Sequence, residues 1–180
     1  MRVAVYSGSF DPLHIGHLRI LSCLEQDDRF DAVYLIVSPR SPFKGEEKAL
    51  NARERFDAAV AAVGRHPELT KVRVDDIELS MPAPHYTCRT LYALKEREPE
   101  NEFTLVVGAD NLAVFGGWRD HDRILLEYGL IVFPRNPFDC EALKAQLLEE
   151  NPDYRIELSE MPPVDVSSTE IREGRSGVLM

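Results

Sequence analysis

The sequence has few of the residues that mark disulfide-rich, zinc-binding or membrane proteins. Its 180 residues include only three cysteines, and Cys23, Cys88 and Cys140 show no Cys-x-x-Cys spacing, which argues against a disulfide framework and a zinc site. No segment approaches the length of a membrane span, and the first residues lack the apolar core of a signal peptide. We therefore expect a cytoplasmic protein with reduced thiols and no membrane partner.

Basic residues are also scarce. The chain has 21 lysines and arginines against 31 acidic residues, for a formal net charge of −10. Because long nucleic acids are held mainly by neutralising their phosphates, this balance argues against a nucleic-acid partner. A small anionic substrate would also be repelled at long range, so its site must concentrate cations or backbone N–H donors locally.

Short runs rich in β-branched residues alternate with longer segments of helical character. Strands are predicted at 3–6, 32–37, 72–74, 103–107 and 130–133, with a last candidate at 155–158, and helices at about 15–25, 49–63, 86–98, 120–127 and 138–149. The alternation predicts one domain over residues 1–180 with a Rossmann-like, doubly wound α/β fold. In this fold a mainly parallel sheet of five or six strands carries helices on both faces. Ligands of such sheets bind beyond the C-terminal ends of the strands.

The most informative segment joins the first predicted strand to the first predicted helix and reads Ser7-Gly8-Ser9-Phe10-Asp11-Pro12-Leu13-His14-Ile15-Gly16-His17. Its glycines permit close backbone approach, and its hydroxyls and the N–H groups at the helix start favour a bound anion. His14 and His17 can face the same side, where they would stabilise a phosphoryl transition state near neutral pH with modest pKa shifts. The alternatives are a histidine that caps the helix or a weak metal site. A Walker-type loop and Gly-x-Gly-x-x-Gly are both absent, which argues against the commonest kinases and dinucleotide dehydrogenases.

A second anion-binding segment is predicted near the other end of the chain. Residues 166–172 follow a proline-rich loop and have the form of a helix start. The hydroxyl and N–H groups of Ser168 and Thr169 could cradle a phosphate there, and Arg172 could supply a fixed positive fork. In isolation the same run is explained by a capping box of the Ser/Thr-x-x-Glu kind.

Four further side chains are expected near the ligand edge of the sheet. Lys44 and Arg135 each follow a predicted strand, and Asp110, which could accept hydrogen bonds from a ribose or a ligand amine, stands just beyond another. Trp118, the only tryptophan, follows a glycine pair that indicates a loop. Its ring could stack on a base or a pyridine, or instead anchor the core or its rim.

Taken together, these residues resemble the nucleotidyltransferase superfamily with the His-x-Gly-His signature, and within it the bacterial nicotinate-nucleotide adenylyltransferases. The resemblance runs over almost the whole chain. It rests on the loop with His14 and His17, Pro42-Phe43-Lys44, Tyr86-Thr87 with Thr90-Leu91, Gly108-Ala109-Asp110, Trp118, Arg135 and the run 167–172.

The resemblance implies the reaction of ATP with nicotinate mononucleotide to give nicotinate adenine dinucleotide and pyrophosphate, a late step towards NAD. It implies that the catalytic residues are His14, His17 and Arg172. The implied ATP-binding residues are Gly8, Ser9, Phe10, His14, His17, Ser168, Thr169 and Arg172, and the implied acceptor-binding residues are Lys44, Tyr86, Thr87, Asp110, Trp118 and Arg135. Mg²⁺ would be bound with ATP, and no protein-held metal site is visible.

Three features depart from the family pattern. Phe43 stands where the family more often has the histidine of Pro-Pro-His-Lys, and Arg89 stands where an aspartate is common. The sequence ends at Met180, whereas relatives usually continue through a further helix after the position of Arg172. These departures concern the acceptor pocket and the anchoring of the second anion-binding segment.

Other functions remain open at this stage. Adenylyltransferases for nicotinamide mononucleotide or phosphopantetheine share the chemistry, although Trp118 and Tyr86-Thr87 suit a flat pyridine better than a pantetheine arm. A non-catalytic nucleotide sensor would bind ATP without turnover. The run 14–17 also spells the signature of one aminoacyl-tRNA synthetase class, but the acidic chain has no room for an anticodon domain. Oligomeric state is open, with a homo-oligomer among the alternatives.

Overall fold

The computed structural model describes residues 1–39 and 51–163. The strands are β1 Arg2–Gly8, β2 Ala32–Val37, β3 Val72–Asp75, β4 Glu102–Gly108, β5 Leu130–Phe133 and β6 Ile156–Leu158. The α-helices are α1 Ile15–Glu25, α2 Ala52–Gly64, α3 Thr87–Arg97, α4 Ala109–Val114, α5 His121–Arg123 and α6 Cys140–Glu150. Short 3-10 helices lie at Ile77–Ser80 and Phe115–Gly117, and α5 continues into a π-helical turn at Ile124–Tyr128.

The six strands form one sheet in the order β3-β2-β1-β4-β5-β6, and every neighbouring pair is parallel. The predicted Rossmann-like, doubly wound α/β fold is confirmed, with six strands. The strand order reverses between β1 and β4, which is where ligands bind in such sheets. Gly8 ends β1 and Gly108 ends β4, so the chain segments that follow these two glycines border the crevice.

Both faces of the sheet are buried, which explains why the central strands read as continuous apolar runs. All six residues of β2 are buried. Val33 and Leu35 pack on one face with apolar residues of α1 and α2, whereas Tyr34 and Ile36 pack on the other with residues of α3, α4 and α6. Two helical layers therefore enclose the sheet. None of the helices in the described part of the chain is long and apolar enough to cross a membrane.

Local capping fixes two of the predicted helix starts. Asn51 caps α2 by accepting from the Glu54 backbone N–H at 2.9 Å, while its own N–H donates to the Glu54 carboxylate at 3.2 Å. This reciprocal pair starts the regular helix at Ala52, three residues after the predicted start. Asp139 caps α6 by accepting a hydrogen bond from the Ala142 N–H at 3.1 Å, near the predicted start at residue 138.

The segment between β4 and β5 differs most from the sequence-based prediction. No helix is predicted directly after β4, yet α4 begins there and places Leu112 in the core, followed by a fully buried Phe115. Six residues are too few to show a helical period, so this element escapes pattern analysis. The predicted helix 120–127 is also wrong in form, because after Arg123 it widens into a π-helical turn that ends at Gly129, whose φ is 84°.

Candidate active site

The loop after β1 is supported by the buried ring of Phe10. Phe10 has φ 48°, in the left-handed region that non-glycine residues rarely adopt, and its side chain is buried in the core cluster under α1. A Cβ atom at Gly8 would lie 3.1 Å from this ring. Gly8 therefore lets the strand end approach the ring closely. Phe10 supports the loop from inside, and its ring lies edge-on to that of His17 with centroids 5.1 Å apart.

The two histidines form a stacked pair at the start of α1. Their ring centroids are 3.8 Å apart and their planes differ by 24°. The Nδ1 atom of His14 accepts the Gly16 N–H at 3.0 Å, and the Nδ1 atom of His17 accepts the His14 N–H at 3.1 Å. Because both Nδ1 atoms accept hydrogen bonds, each neutral ring carries its hydrogen on Nε2. His14 therefore caps α1, which was one of the alternatives in the sequence analysis, and its ring also stacks on that of His17.

Burial controls the protonation of the second histidine. The pKa of His17 lies well below its ordinary value, mainly because burial disfavours the charged ring, and electrostatic interactions with His14 and Arg135 lower it further. The expectation of modest pKa shifts is therefore wrong for His17. At neutral pH its ring is an uncharged hydrogen-bond donor, not a cation.

An ion pair borders the same crevice from β4 and β5. Arg135 Nη1 lies 3.8 Å from Asp110 Oδ2, with both side chains partly exposed. Both charges affect the pKa of Tyr6 on β1. Burial raises this pKa most, the charge of Asp110 raises it further, and the charge of Arg135 opposes the rise. A Cβ atom at Gly108 would lie 2.7 Å from Asp110 Oδ1, so a side chain there would displace this carboxylate from its present position. The structure therefore brings Asp110 and Arg135 beside the histidine pair.

A buried arginine ties together the chain segments that leave β1 and β2. Arg55, on α2, is 1% exposed. Its Nη1 donates to the carbonyl oxygens of Ser9 at 2.8 Å and Ser38 at 2.7 Å, and its Nη2 donates to that of Pro39 at 3.1 Å. Burial lowers the pKa of this guanidinium, and the charge of Asp11 opposes that shift. The guanidinium fork holds the two loops in one arrangement.

A buried carboxylate supports the other side of the crevice. Glu78 is 3% exposed and accepts a hydrogen bond from the Ser7 hydroxyl at 3.3 Å. Burial raises its pKa, and the neighbouring hydroxyls of Thr90 and Ser7 oppose the rise. The end of β1 is thereby linked to the short helix after β3.

Aromatic side chains lie directly before α3 and shortly after α4. Tyr86, the residue before α3, is 39% exposed and lies against Arg119, whose Cζ is 4.7 Å from the ring centre. Trp118 is partly buried and stacks on Phe115, with centroids 4.6 Å apart. Thr87 is the partly buried first residue of α3. Arg119 links the two segments, since it packs on Tyr86 and directly follows Trp118, and we call Tyr86 and Trp118 the aromatic walls.

Comparison with known proteins identifies the family. Residues 5–174 match the cytidylyltransferase-like family. A protein of Cytophaga hutchinsonii named as a probable nicotinate-nucleotide adenylyltransferase is 37% identical over 172 residues, which cover 96% of this chain and 84% of the relative. The protein of the same name from Bacteroides fragilis is 36% identical, covering 96% and 81%. The chain belongs to the nicotinate-nucleotide adenylyltransferases of the cytidylyltransferase-like family.

Solved structures of this enzyme family share the fold. The nicotinic acid mononucleotide adenylyltransferase of Plasmodium falciparum, complexed with NaAD, superposes with a TM-score of 0.78 at 20% sequence identity and covers 96% of this chain and 82% of its own. The same enzyme complexed with APC gives a TM-score of 0.76. At this identity the likeness concerns the fold alone.

The described residues that the family resemblance assigns to the site fall into two groups. The histidine pair follows β1 and the Asp110–Arg135 ion pair follows β4 and β5, on either side of the switch point, whereas Tyr86 and Trp118 are linked through Arg119. The predicted residues Lys44, Ser168, Thr169 and Arg172 lie outside the described residues.

Three further residues were missed by sequence reasoning: Arg55, Glu78 and Arg119. The first two are charged but buried, and their partners are carbonyls and hydroxyls of distant segments. A charged residue in a helical pattern normally indicates a solvated face, so no local signal marks them. The only hint for Arg119 is its position after the lone tryptophan.

Proposed function

We infer that the chain transfers the adenylyl group of ATP to nicotinate mononucleotide, giving nicotinate adenine dinucleotide and pyrophosphate in the synthesis of NAD. This is the function named for the relatives that match 96% of the chain. We propose that residues 1–180 form one catalytic domain with the site at the crevice between β1 and β4.

The observation that carries the inference is the hydrogen bonding of the two histidines. Each Nδ1 atom accepts a backbone N–H, so each neutral ring presents its hydrogen on Nε2. Two such donors at a helix start suit the negative charge that grows on a phosphoryl group during its transfer. His17 stays neutral because it is buried, so its Nδ1 remains an acceptor for the His14 N–H while its Nε2 donates.

The proposed chemistry requires no general base. A phosphate oxygen of the acceptor, already ionised at neutral pH, attacks the α-phosphorus of ATP, and the bond to the bridging oxygen breaks as pyrophosphate leaves. Catalysis then consists of in-line positioning and stabilisation of charge. For the ATP side we propose Gly8, Ser9, Phe10, His14, His17, Ser168, Thr169 and Arg172. Within this set, Phe10 acts by shaping the loop, since its ring is buried.

We propose that the acceptor lies across the ion pair and the aromatic walls. Arg135 lowers the pKa of His17 and is paired with Asp110, so we assign these two side chains to the nucleoside and phosphate parts of the mononucleotide. Tyr86, Thr87 and Trp118 would surround the pyridine, because exposed aromatic rings provide flat stacking surfaces. Lys44 completes the proposed set as a further phosphate contact.

We propose that Mg²⁺ enters with the phosphates of ATP and neutralises part of their charge. Within residues 1–39 and 51–163, no group of three or more His, Cys, Asp or Glu side chains is placed to hold a metal ion. We assign the protein's own stabilisation of the negative charge in the transition state to its N–H donors and cations.

Pyrophosphate release by the purified chain tests the proposed function. Mg-ATP is offered with nicotinate mononucleotide, nicotinamide mononucleotide or phosphopantetheine in parallel. We expect the highest kcat/KM with nicotinate mononucleotide. A preference for another acceptor would refute the substrate assignment, and ATP binding without pyrophosphate release from folded protein would refute the catalytic one.

A further inference from the structure

Beside the aromatic walls lies a cation that the family resemblance does not assign. Arg119 follows Trp118 directly, is exposed, and places its Cζ 4.7 Å from the centre of the Tyr86 ring. None of the ion pairs among residues 1–39 and 51–163 includes Arg119. Its guanidinium thus packs on the Tyr86 ring without a carboxylate partner in that part of the chain.

The backbone around this cation is held in place. Trp118 is anchored by its stack on the fully buried Phe115, and its N–H donates to the Phe115 carbonyl at 3.0 Å. Asp120 follows Arg119 with φ 53°, a left-handed conformation that turns the chain sharply. Such residues persist when the surrounding structure over-determines them, and they cluster at functional sites.

The opposite wall is equally constrained. Tyr86 precedes α3, and the loop before it is closed by Arg89, whose Nη1 donates to the Pro84 carbonyl at 2.5 Å. The cation–π contact with Tyr86 restrains the Arg119 side chain before any ligand arrives. Less side-chain freedom is then lost when the guanidinium meets an anion.

We propose that Arg119 is a specificity-determining residue that recognises a negatively charged carboxylate on the pyridine of the acceptor. The inference rests on the proposed function, which places the pyridine between Tyr86 and Trp118. Nicotinate and nicotinamide mononucleotides share their ribose and phosphate and differ at the pyridine by one negative charge. A guanidinium at that end pairs with the carboxylate but gains no charge-assisted bond from the neutral amide.

The charge of the whole protein makes this local cation more important. With a net charge of −10, the chain repels an additional carboxylate on the acceptor. The uncharged amide would suffer no such repulsion, so a preference for the acid requires cations or backbone N–H donors near the pyridine. Among the described cations, Arg135 is paired with Asp110, whereas Arg119 lies directly against the proposed pyridine wall.

The test compares Arg119→Gln and Arg119→Lys with a matched control. Arg123 has the same kind of stack, 4.6 Å from the centre of the Tyr92 ring, but is paired with Glu127 at 3.1 Å, so Arg123→Gln removes a similar surface cation outside the proposed site. For each protein, kcat/KM is measured with nicotinate and nicotinamide mononucleotides at low and moderate ionic strength. The readout is the ratio of the two values, which a general loss of stability would not change.

We expect Arg119→Gln to reduce the ratio in favour of the acid about tenfold, mainly by raising KM for nicotinate mononucleotide, as for one partly exposed charge-assisted contact. Arg119→Lys should keep most of the ratio, and Arg123→Gln should leave it at the wild-type value. Added salt should reduce the wild-type ratio more than that of Arg119→Gln.

An unchanged ratio in Arg119→Gln would overturn the inference while leaving the proposed function intact. An equal fall of this ratio in Arg119→Gln and Arg123→Gln would also overturn it, because the effect would then come from the net charge of the protein and not from a contact with the pyridine. If the wild-type protein uses neither pyridine mononucleotide, the proposed function itself fails, and that result is distinguishable from both.

Discussion

Two substitutions of His17 separate its structural role from its proposed catalytic role. His17 uses Nδ1 to accept the His14 N–H at 3.1 Å and is left to donate from Nε2. An asparagine carries a polar atom near the place of Nδ1, and a glutamine carries one near the place of Nε2. His17→Asn therefore keeps an acceptor for the helix cap and removes the donor, whereas His17→Gln keeps a donor and removes the cap acceptor.

The expected magnitudes follow from these two contacts. Removing one preorganised donor to a transition state costs about 3 kcal/mol, or roughly a 10²- to 10³-fold fall in kcat. Losing one helix-cap acceptor costs about 1 kcal/mol of folding free energy. His17→Asn should thus lose most of its kcat at nearly wild-type stability, and His17→Gln should be less stable but retain more activity.

The assay is steady-state pyrophosphate release together with urea unfolding of the wild type and both variants. KM for ATP should change less than kcat in His17→Asn, since the donor acts mainly in the transition state. A His17→Asn protein with kcat within a few-fold of the wild type would refute the role assigned to the Nε2 hydrogen.

Three further predictions concern pH and the supports of the site. The depressed pKa of His17 means that the unfolded state takes up a proton on this residue at higher pH than the folded state. The stability that this group contributes is therefore complete above about pH 6.5 and is lost as pH falls below that value. Urea unfolding at pH 7.5 and 5.5 should show that the free energy of unfolding falls less in His17→Asn than in the wild type. Equal falls in the two proteins would contradict the assignment. Arg55→Leu should destabilise the fold by roughly 3 kcal/mol, because buried carbonyls at Ser9 and Ser38 lose their donors; a thermal midpoint within 2 °C of the wild type, on the order of experimental scatter, would contradict this. Gly108→Ala should displace the Asp110 carboxylate, since the new Cβ would meet it at 2.7 Å; we expect a raised KM for the acceptor without loss of stability, and an unchanged KM would remove Asp110 from the acceptor site.

The sheet could be predicted from the sequence because its central strands are buried on both faces. Runs such as β2, in which every residue is buried, leave an unambiguous apolar signal. The helix α4 and the π-helical turn at Ile124–Tyr128 could not be predicted, because one is too short for a period and the other depends on tertiary packing. The register of the strands, and hence the switch point, followed only from the assembled sheet.

The histidine pair of the candidate site could be predicted from the sequence for a different reason. His14 and His17 are close in sequence, so their common helix start places them together without knowledge of the fold. The low pKa of His17 depends on its burial, which includes the contact with Phe10, and on Arg135, which follows β5, two strands away from β1. Supports such as Arg55 depend on carbonyls of distant loops, and no pattern in one sequence reports them.

The most direct measurement is chromatographic analysis of the products formed from Mg-ATP and nicotinate mononucleotide by the purified chain. We predict nicotinate adenine dinucleotide and pyrophosphate in equal amounts, with formation of the dinucleotide reduced by at least about a hundredfold in His17→Asn. A folded wild-type protein that binds ATP and forms no dinucleotide would contradict the proposed function.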